Sequence, residues 1–227
     1  YRRWIAVNAF SELFGLGLTL GVGFTIIASF DVGGVGGVLL AFAVAVLSGT
    51  IEAAIVGLTQ WWAMHPWFPT ISRLRWWLGT LGGALFAYVL GYLPSTLMDL
   101  SQATSTESTP MTEPPQWLVL LLAALLGAVA GAVLSFAQWL AMRGKVKGAR
   151  VWIPANMLAW AVGMPLIFWG IDIANRGQPL WQTLGMMAGV LALTGAVVGA
   201  IHGLFLQRLA RENISHKVIM NSLQPGE

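Results

Sequence analysis

Two acidic residues, Glu12 and Glu52, lie inside long apolar stretches of the sequence, with no lysine or arginine in either stretch. An unpaired carboxylate in hydrocarbon is costly, so such a residue is a candidate for function. One interpretation is a proton- or cation-binding site between the first and second apolar segments. The alternative is a pair of protonated acids that donate hydrogen bonds to Asn8, Thr50 or the backbone.

A third candidate, His202, stands between glycines on the last apolar segment. A histidine ring nitrogen can hold the iron of a haem or the magnesium of a chlorophyll, and close helix packing leaves a flat slot for a macrocycle. Gln60 and Gln138 would be weaker magnesium ligands of the same kind. One hypothesis is therefore a tetrapyrrole or carotenoid cofactor with His202 as axial ligand. The competing hypothesis is a structural histidine within a layer of polar residues.

The two glutamines recur in one setting, QWWAM at 60–64 and QWLAM at 138–142, and His202 matches them in the last segment. The other three apolar segments share a Trp-x-x-x-polar pattern, whose polar members are Asn8, Thr80 and Asn156. At 1.5 Å per residue, most of these groups lie about 8–9 Å inside their flanking charges. We expect a polar layer in which the glutamines bond to Asn or Thr on adjacent helices.

Signatures of enzymes are absent from the sequence. It has no cysteine, which excludes disulfides, thiolate metal sites and cysteine nucleophiles. It also has no HExxH, no GxSxG and no DxxD pair, and its glycine-rich stretch at 33–37 lacks the Lys-Ser/Thr of a phosphate loop. The sequence therefore predicts a non-enzymatic protein without a protein-held metal.

The elements that must position these residues are long apolar helices. Of 227 residues, 57% are hydrophobic and 9% are charged, and the mean hydropathy is +0.73. A soluble domain carries about 25% charged residues, and a membrane helix needs about 20 apolar ones. We predict an all-α, polytopic membrane bundle, a single domain over 1–227, with helices at about 4–29, 35–64, 72–93, 117–142, 151–171 and 183–207.

Basic residues predict the orientation. Eleven of the twelve Lys and Arg residues fall at segment ends that would share one side, and cytoplasmic loops are rich in such residues. Both termini are therefore expected in the cytoplasm. One short loop concentrates four of them, and each can add about 1 kcal/mol of attraction to anionic lipid headgroups. These four are Arg143, Lys145, Lys147 and Arg150; plain topology is the alternative reading.

Tryptophans gather at the same ends as the basic residues. Eight of the twelve lie there, and we expect them to form an aromatic belt at the headgroup level. The eight are Trp4, Trp61, Trp62, Trp67, Trp76, Trp77, Trp139 and Trp152.

Small residues repeat on the three segments that carry Gln60, Gln138 and His202. Each has a stripe at intervals of four, and such stripes let neighbouring helices approach closely. The stripes are Gly49-Ala53-Gly57, Gly127-Gly131-Ser135 and Gly195-Gly199-Gly203. The second and third helices, the fourth and fifth, and the sixth and first would then be copies of one hairpin. This repeat predicts a pseudo-three-fold bundle whose third copy is opened by the chain termini.

Segment 94–116 is rich in Ser, Thr and Pro and is expected to be a flexible non-cytoplasmic loop. With so little soluble mass, the favoured hypothesis is an accessory or scaffold subunit of a larger membrane complex, packed against other helices, lipids or pigments. The alternatives are a small transporter or channel that uses Glu12 and Glu52, and a chlorophyll-, haem- or carotenoid-binding subunit. No nucleic-acid partner is expected, because the positive charges are divided among short segments.

Overall fold

The computed structural model describes residues 1–30, 33–104, 114–174 and 176–222, and these contain no β-strand. They form six helices, each long and apolar enough to cross a membrane. The helices are α1 (Arg2–Ala28), α2 (Gly34–Met64), α3 (Arg73–Thr104), α4 (Gln116–Met142), α5 (Trp152–Ala174) and α6 (Leu180–Ser222). The predicted number and order of helices are thus confirmed.

Helix α3 is longer than the sequence suggested. It continues past the expected end at 93 and runs through Pro94 to Thr104, so 94–104 is helix rather than loop. The hydroxyls of Ser95 and Thr96 both donate to the carbonyl of Tyr92, at 3.0 and 2.8 Å. Because a proline has no N–H to donate, Pro94 leaves the carbonyl four residues earlier, that of Leu90, without its usual helical partner. The rest of the expected loop, 105–113, lies outside the described residues.

The six helices form a closed ring. Each packs against the next in chain order, and α6 returns to pack against α1. Short connections favour such antiparallel neighbours. The ring leaves a central space that every helix faces, and this space is where the polar residues gather.

The distribution of side chains is the reverse of that in a soluble bundle. Large apolar residues point outward, among them Phe24, Leu47 and Trp117. The buried residues include many polar ones, with Ser135, Gln138 and Thr194 at most 1% exposed. An apolar exterior suits hydrocarbon as the surrounding solvent, and the inward polar groups then find their partners within the bundle, as Gln138 does with Thr80 and Gln60.

The small-residue stripes bring neighbouring helices into contact within the ring. A Cβ added at Gly131 would lie 2.6 Å from the carbonyl oxygen of Asn156 on α5. One added at Gly195 would meet the carbonyl of Asn8 on α1, and one at Gly57 would lie 3.2 Å from Thr80 on α3. The stripes of α2, α4 and α6 therefore seat α3, α5 and α1.

A π turn, Glu12–Leu16, interrupts α1 and begins at the buried acid Glu12. Within it lies Gly15, where an added Cβ would be 3.1 Å from the Cα of Glu52. The turn therefore rests directly on the α2 backbone beside the second acid. Single π turns are rare and recur at functional sites.

The basic segments meet at one end of the bundle. The Arg3 guanidinium donates to the Trp62 carbonyl at 2.7 Å, and the ring of Trp62 lies 3.6 Å below it. The backbone N–H of Lys147, between α4 and α5, donates to Asn213 on α6 at 2.9 Å. We call this end the basic end. We call the opposite end the acidic end, because Asp99 and Asp172 lie near that end.

Candidate functional site

A chain of amide hydrogen bonds crosses the bundle near the basic end. Gln60 Nε2 donates to Asn8 Oδ1 at 2.8 Å, which joins α2 to α1. Gln138 Nε2 donates to Thr80 Oγ1 at 3.0 Å and to Gln60 Oε1 at 3.2 Å. The bonds expected from the sequence between glutamines and Asn or Thr are therefore present, with an additional bond between the two glutamines. Buried amides satisfied in this way fix the register of the helices.

Tryptophans complete this chain of bonds. Trp152 Nε1 donates to Gln138 Oε1 at 2.9 Å, and Trp4 Nε1 donates to His202 Nδ1 at 2.9 Å. The second bond ties the first helix to the last. With the tryptophan donors included, the polar layer links side chains from all six helices. We define the polar layer as Asn8, Gln60, Thr80, Gln138, Asn156 and His202, all of them buried.

Three equivalent residues of the polar layer make the same local bond. Each donates a side-chain hydrogen to the carbonyl of the tryptophan four residues earlier, at 2.8–2.9 Å. These residues are Asn8, Thr80 and Asn156, and the tryptophans are Trp4, Trp76 and Trp152. The local bond orients the side chain toward the bundle centre.

The same three tryptophans fill the centre of the basic end. Trp4 and Trp76 each lie 6.0 Å from Trp152, measured between ring centroids, and all three are at most 4% exposed. The expected aromatic belt is therefore wrong for these three, because they face inward on the same helical face as the polar residue one turn later. Trp62 and Trp67 are exposed, as a belt requires. We call the inward set the tryptophan plug.

Behind the plug lies a small cavity lined by side chains from all six helices. It offers about 20 Å³ to the centre of a water-sized molecule, which is about the room one water needs. Five residues of the polar layer line it, all but Gln138, together with Glu12 and Glu52. The cavity thus unites the candidate site residues that the sequence listed separately.

The Glu12 side chain is buried against α6, where an added Cβ on Gly195 would lie 2.7 Å from its Cγ. Its Oε2 has no hydrogen-bond partner among the described residues. The expected bond from protonated Glu12 to Asn8 is not formed, and Asn8 Oδ1 accepts from Gln60 Nε2 at 2.8 Å instead. A buried carboxyl oxygen without a partner can accept a hydrogen bond from a guest in the cavity.

Glu52 has a partner that the sequence did not indicate. The hydroxyl of Tyr88 on α3 donates to its Oε2, and an added Cβ on Gly49 would lie 2.8 Å from the Tyr88 ring. Gly49 therefore gives the ring its place beside the acid. Thr50, a partner considered from the sequence, instead donates to the Leu47 carbonyl at 2.7 Å.

The geometry gives no support to His202 as a metal ligand. An indole N–H can only donate, so the bond from Trp4 requires an unprotonated Nδ1, and the neutral ring then carries its proton on Nε2. Neither nitrogen is free for a magnesium or iron ion while this bond exists. The small cavity at this side chain also has no room for a macrocycle. His202 fits the structural interpretation.

The four basic residues proposed for lipid headgroups are exposed at the basic end. Arg143 lies over the Trp139 ring at 5.7 Å, a pairing suited to an interface. The headgroup role of Arg143, Lys145, Lys147 and Arg150 stays a prediction. They lie outside the cavity and take no part in the polar layer.

The chain matches no protein-family model, no curated protein and no solved structure. A function for it therefore has to be argued from the site itself.

Sequence reasoning missed two features of this site. It treated tryptophans by depth alone, although Trp4–Asn8, Trp76–Thr80 and Trp152–Asn156 each have the i,i+4 spacing of one helical face. It also passed over Tyr88, which follows Thr80 by eight residues and could have been placed inward by the same spacing. The π turn at Glu12 has no sequence signature that we can identify.

Proposed function

We propose that this protein binds a proton or a monovalent cation in its central cavity and uses this site in transport across a membrane. One observation carries the proposal: Glu12 and Glu52 line the same central cavity, to which all six helices contribute side chains. This observation favours the transporter hypothesis over the scaffold hypothesis. The small-residue stripes expected to bind other subunits instead pack against helices of the same bundle.

Charge supports this proposal. Within the described part of the chain, both ion pairs lie at exposed positions, Arg176–Asp172 and Arg208–Glu212. Neither Glu12 nor Glu52 therefore has a basic partner. Each needs a compensating positive charge, a proton or a cation, because an unpaired buried carboxylate is costly. The other titratable groups near the pair are Tyr88, Tyr92 and His202, and none of them supplies that charge as bonded here.

The experiment is a flux assay in liposomes that contain a pH-sensitive dye, with a potential imposed by potassium and valinomycin. We expect Glu12→Gln and Glu52→Gln each to reduce proton flux about tenfold or more, because an amide cannot exchange a proton. Glu212→Gln is the control, since it removes an exposed carboxyl outside the cavity. The same assay with a sodium or potassium gradient tests the cation alternative.

A second readout does not depend on transport. Infrared spectra of the purified protein should contain a protonated-carboxyl band that disappears in Glu12→Gln or Glu52→Gln. Wild-type flux no greater than that of empty liposomes contradicts the transport role. Spectra unchanged in both variants, together with unchanged cation binding, contradict the site itself.

We further propose that the basic end faces the cytoplasm, so that both termini lie there. The support is that Arg3 and Lys147 contact their neighbours at the same end of the ring, and the positive-inside tendency favours that side. The apolar exterior favours insertion into a bilayer.

We also propose that the bundle is a pseudo-three-fold repeat of α2–α3, α4–α5 and α6–α1. Its support is that equivalent residues occupy equivalent places. Val56, Leu134 and Val198, each four residues before a member of the aligned Gln60, Gln138 and His202 set, all line the cavity. The cavity then lies on the repeat axis, as binding sites at repeat interfaces do in transporters.

A role as accessory subunit is the second candidate. The observation that favours it is a pair of glycines on the outer face of α6, Gly185 and Gly189, which have open space where a Cβ would stand. A GxxxG pair of this kind can seat another membrane helix. Cross-linking of the protein in native membranes with an amine-reactive disuccinimidyl reagent tests this candidate, and Gly185→Leu should reduce the yield of cross-linked complex. A wild-type protein that stays monomeric and forms no cross-link contradicts the accessory role.

A further inference from the structure

The cavity has to be reached from one end of the bundle, and the two ends differ. At the basic end the tryptophan plug is backed by a cluster of buried apolar side chains. Met64, Ile71 and Met142 are at most 1% exposed there. This end is closed by large side chains in contact with one another.

The central axis is closed toward the acidic end as well. Leu16, Ile167 and Leu191 form a second buried cluster on that side of the cavity, with Trp160, Met164 and Tyr88 packed against it. A guest cannot follow the axis in either direction without moving these side chains. Any open route has to leave the axis.

One off-axis route begins at Glu52. Tyr88 donates to this acid, and the Tyr88 ring lies 6.0 Å from the ring of Tyr92, one turn further along α3. Thr96 follows after another turn and is 8% exposed. Asp99 stands beyond it and is exposed at the acidic end.

These residues form a stripe of oxygen-bearing side chains on a helix whose other side chains at this depth are apolar, apart from the exposed Ser95. Its neighbours in sequence face outward, with Phe86 and Leu97 exposed by 55% and 56%. Next to the same acid, the Thr19 hydroxyl accepts from the Glu52 backbone N–H and donates to the Ser48 carbonyl, both at 3.1 Å. Polar groups thus continue from Glu52 toward the acidic end.

We infer that protons reach the cavity from the acidic end along this stripe, Asp99–Thr96–Tyr92–Tyr88, and enter at Glu52. A phenol can donate and accept at one oxygen. Tyr88 gives its hydroxyl proton to the Glu52 carboxylate and takes a replacement from a hydronium ion on the Tyr92 side, which becomes water, so the phenol is unchanged and Glu52 gains one proton. This inference rests on the proposed proton site and adds its sidedness and its path.

The absence of native cysteine makes single-cysteine labelling a clean test. Thr96→Cys and Tyr92→Cys are exposed to a membrane-impermeant methanethiosulfonate reagent, added from one side of vesicles with known orientation. Their matched controls, Leu97→Cys and Leu93→Cys, stand at the same depth on the outward face. A thiol needs water to ionise and react, so we expect the stripe variants to react about tenfold faster than their controls, and from the acidic side alone.

A cysteine at the basic end tests whether that end is closed to the reagent. Ala63→Cys, whose parent residue is 1% exposed beside the plug, should remain unmodified from both sides. Labelling of Ala63→Cys from the basic side, or equal rates for Thr96→Cys and Leu97→Cys, overturns the inference.

Flux measurements separate this inference from the proposed function. Tyr88→Phe and Tyr92→Phe should lower proton flux about tenfold, while Phe86→Leu leaves it unchanged. If the Glu12 and Glu52 variants abolish flux but both tyrosine variants conduct normally, the path is wrong and the site stands. If the glutamate variants have no effect while the labelling pattern is as expected, the route exists and the proton site fails. If Tyr88→Phe does not fold, the proton flux of Tyr92→Phe and the cysteine-labelling rates still test the proposed path.

Discussion

At the scale of single residues, the tryptophan plug offers a matched comparison. Trp76 and Trp152 occupy equivalent positions and are both fully buried, but their indole nitrogens differ. Trp152 Nε1 donates to Gln138, whereas Trp76 Nε1 has no partner among the described residues. The equivalent acceptor, Gln60 Oε1, takes a bond from Gln138 and not from Trp76.

We therefore expect Trp152→Phe to destabilise the protein more than Trp76→Phe. Both changes remove the same volume, so the difference isolates one hydrogen bond and the acceptor left unsatisfied, about 1–3 kcal/mol. Thermal unfolding in detergent measures it. Equal losses for the two variants would mean that the Trp152–Gln138 bond contributes nothing, or that Trp76 has a water partner.

Residue types in this site were more predictable than residue partners. Gln60, Gln138 and their Asn and Thr neighbours follow from repetition and depth, since an amide in hydrocarbon has to bond to another helix. The bond from Tyr88 to Glu52 could not be derived, because it depends on how α3 is rotated about its own axis. That rotation follows from Gly49, where the Tyr88 ring lies against the α2 backbone.

At the scale of helices, the small-residue stripes determine how closely each pair packs. Gly131 lies on the stripe of α4, where an added Cβ would meet the Asn156 carbonyl at 2.6 Å. Backbone cannot move aside as a side chain can. The contact also lies next to the polar layer, so any separation of α4 and α5 stretches the bonds made there.

We expect Gly131→Ala to destabilise the bundle by about 1–3 kcal/mol. Gly189→Ala is the control, since nothing lies within 4 Å of its added Cβ, and replacing a helical glycine by alanine there should be neutral or stabilising by up to about 1 kcal/mol. Denaturation in mixed micelles compares the two. If Gly189→Ala is the more harmful, its face is occupied by another helix, which would favour the accessory role.

Helix number and the small-residue stripes were accessible from the sequence because both follow from composition at fixed spacing. The ends of the helices were harder to predict from the sequence. Pro94 and the Ser/Thr-rich residues after it suggested a loop, but the helix continues through Pro94 to Thr104. The π turn at Glu12 depends on the fit of Gly15 to the α2 backbone, a tertiary contact that no local pattern reveals.

At the scale of the whole molecule, the arrangement of basic segments predicts a definite orientation. With cysteine absent from the native chain, Lys145→Cys and Arg176→Cys report on opposite ends without background. We expect an impermeant maleimide to label Arg176→Cys in intact cells and Lys145→Cys after permeabilisation only. Labelling of Lys145→Cys in intact cells would reverse the proposed orientation and, with it, the side from which protons are expected to enter.

The ring closes through contacts between its first and last helices, among them the bond from Trp4 to His202 and the approach of Gly195 to Asn8. Ribosomes make α1 first and α6 last. During synthesis Glu12 therefore resides in the bilayer, or at its surface, before the helix that covers it exists. Membrane chaperones that bind unpartnered polar helices should therefore stay bound to α1 for longer than to the other helices. Chains that stall before α6 is made should be the form that quality-control proteases remove.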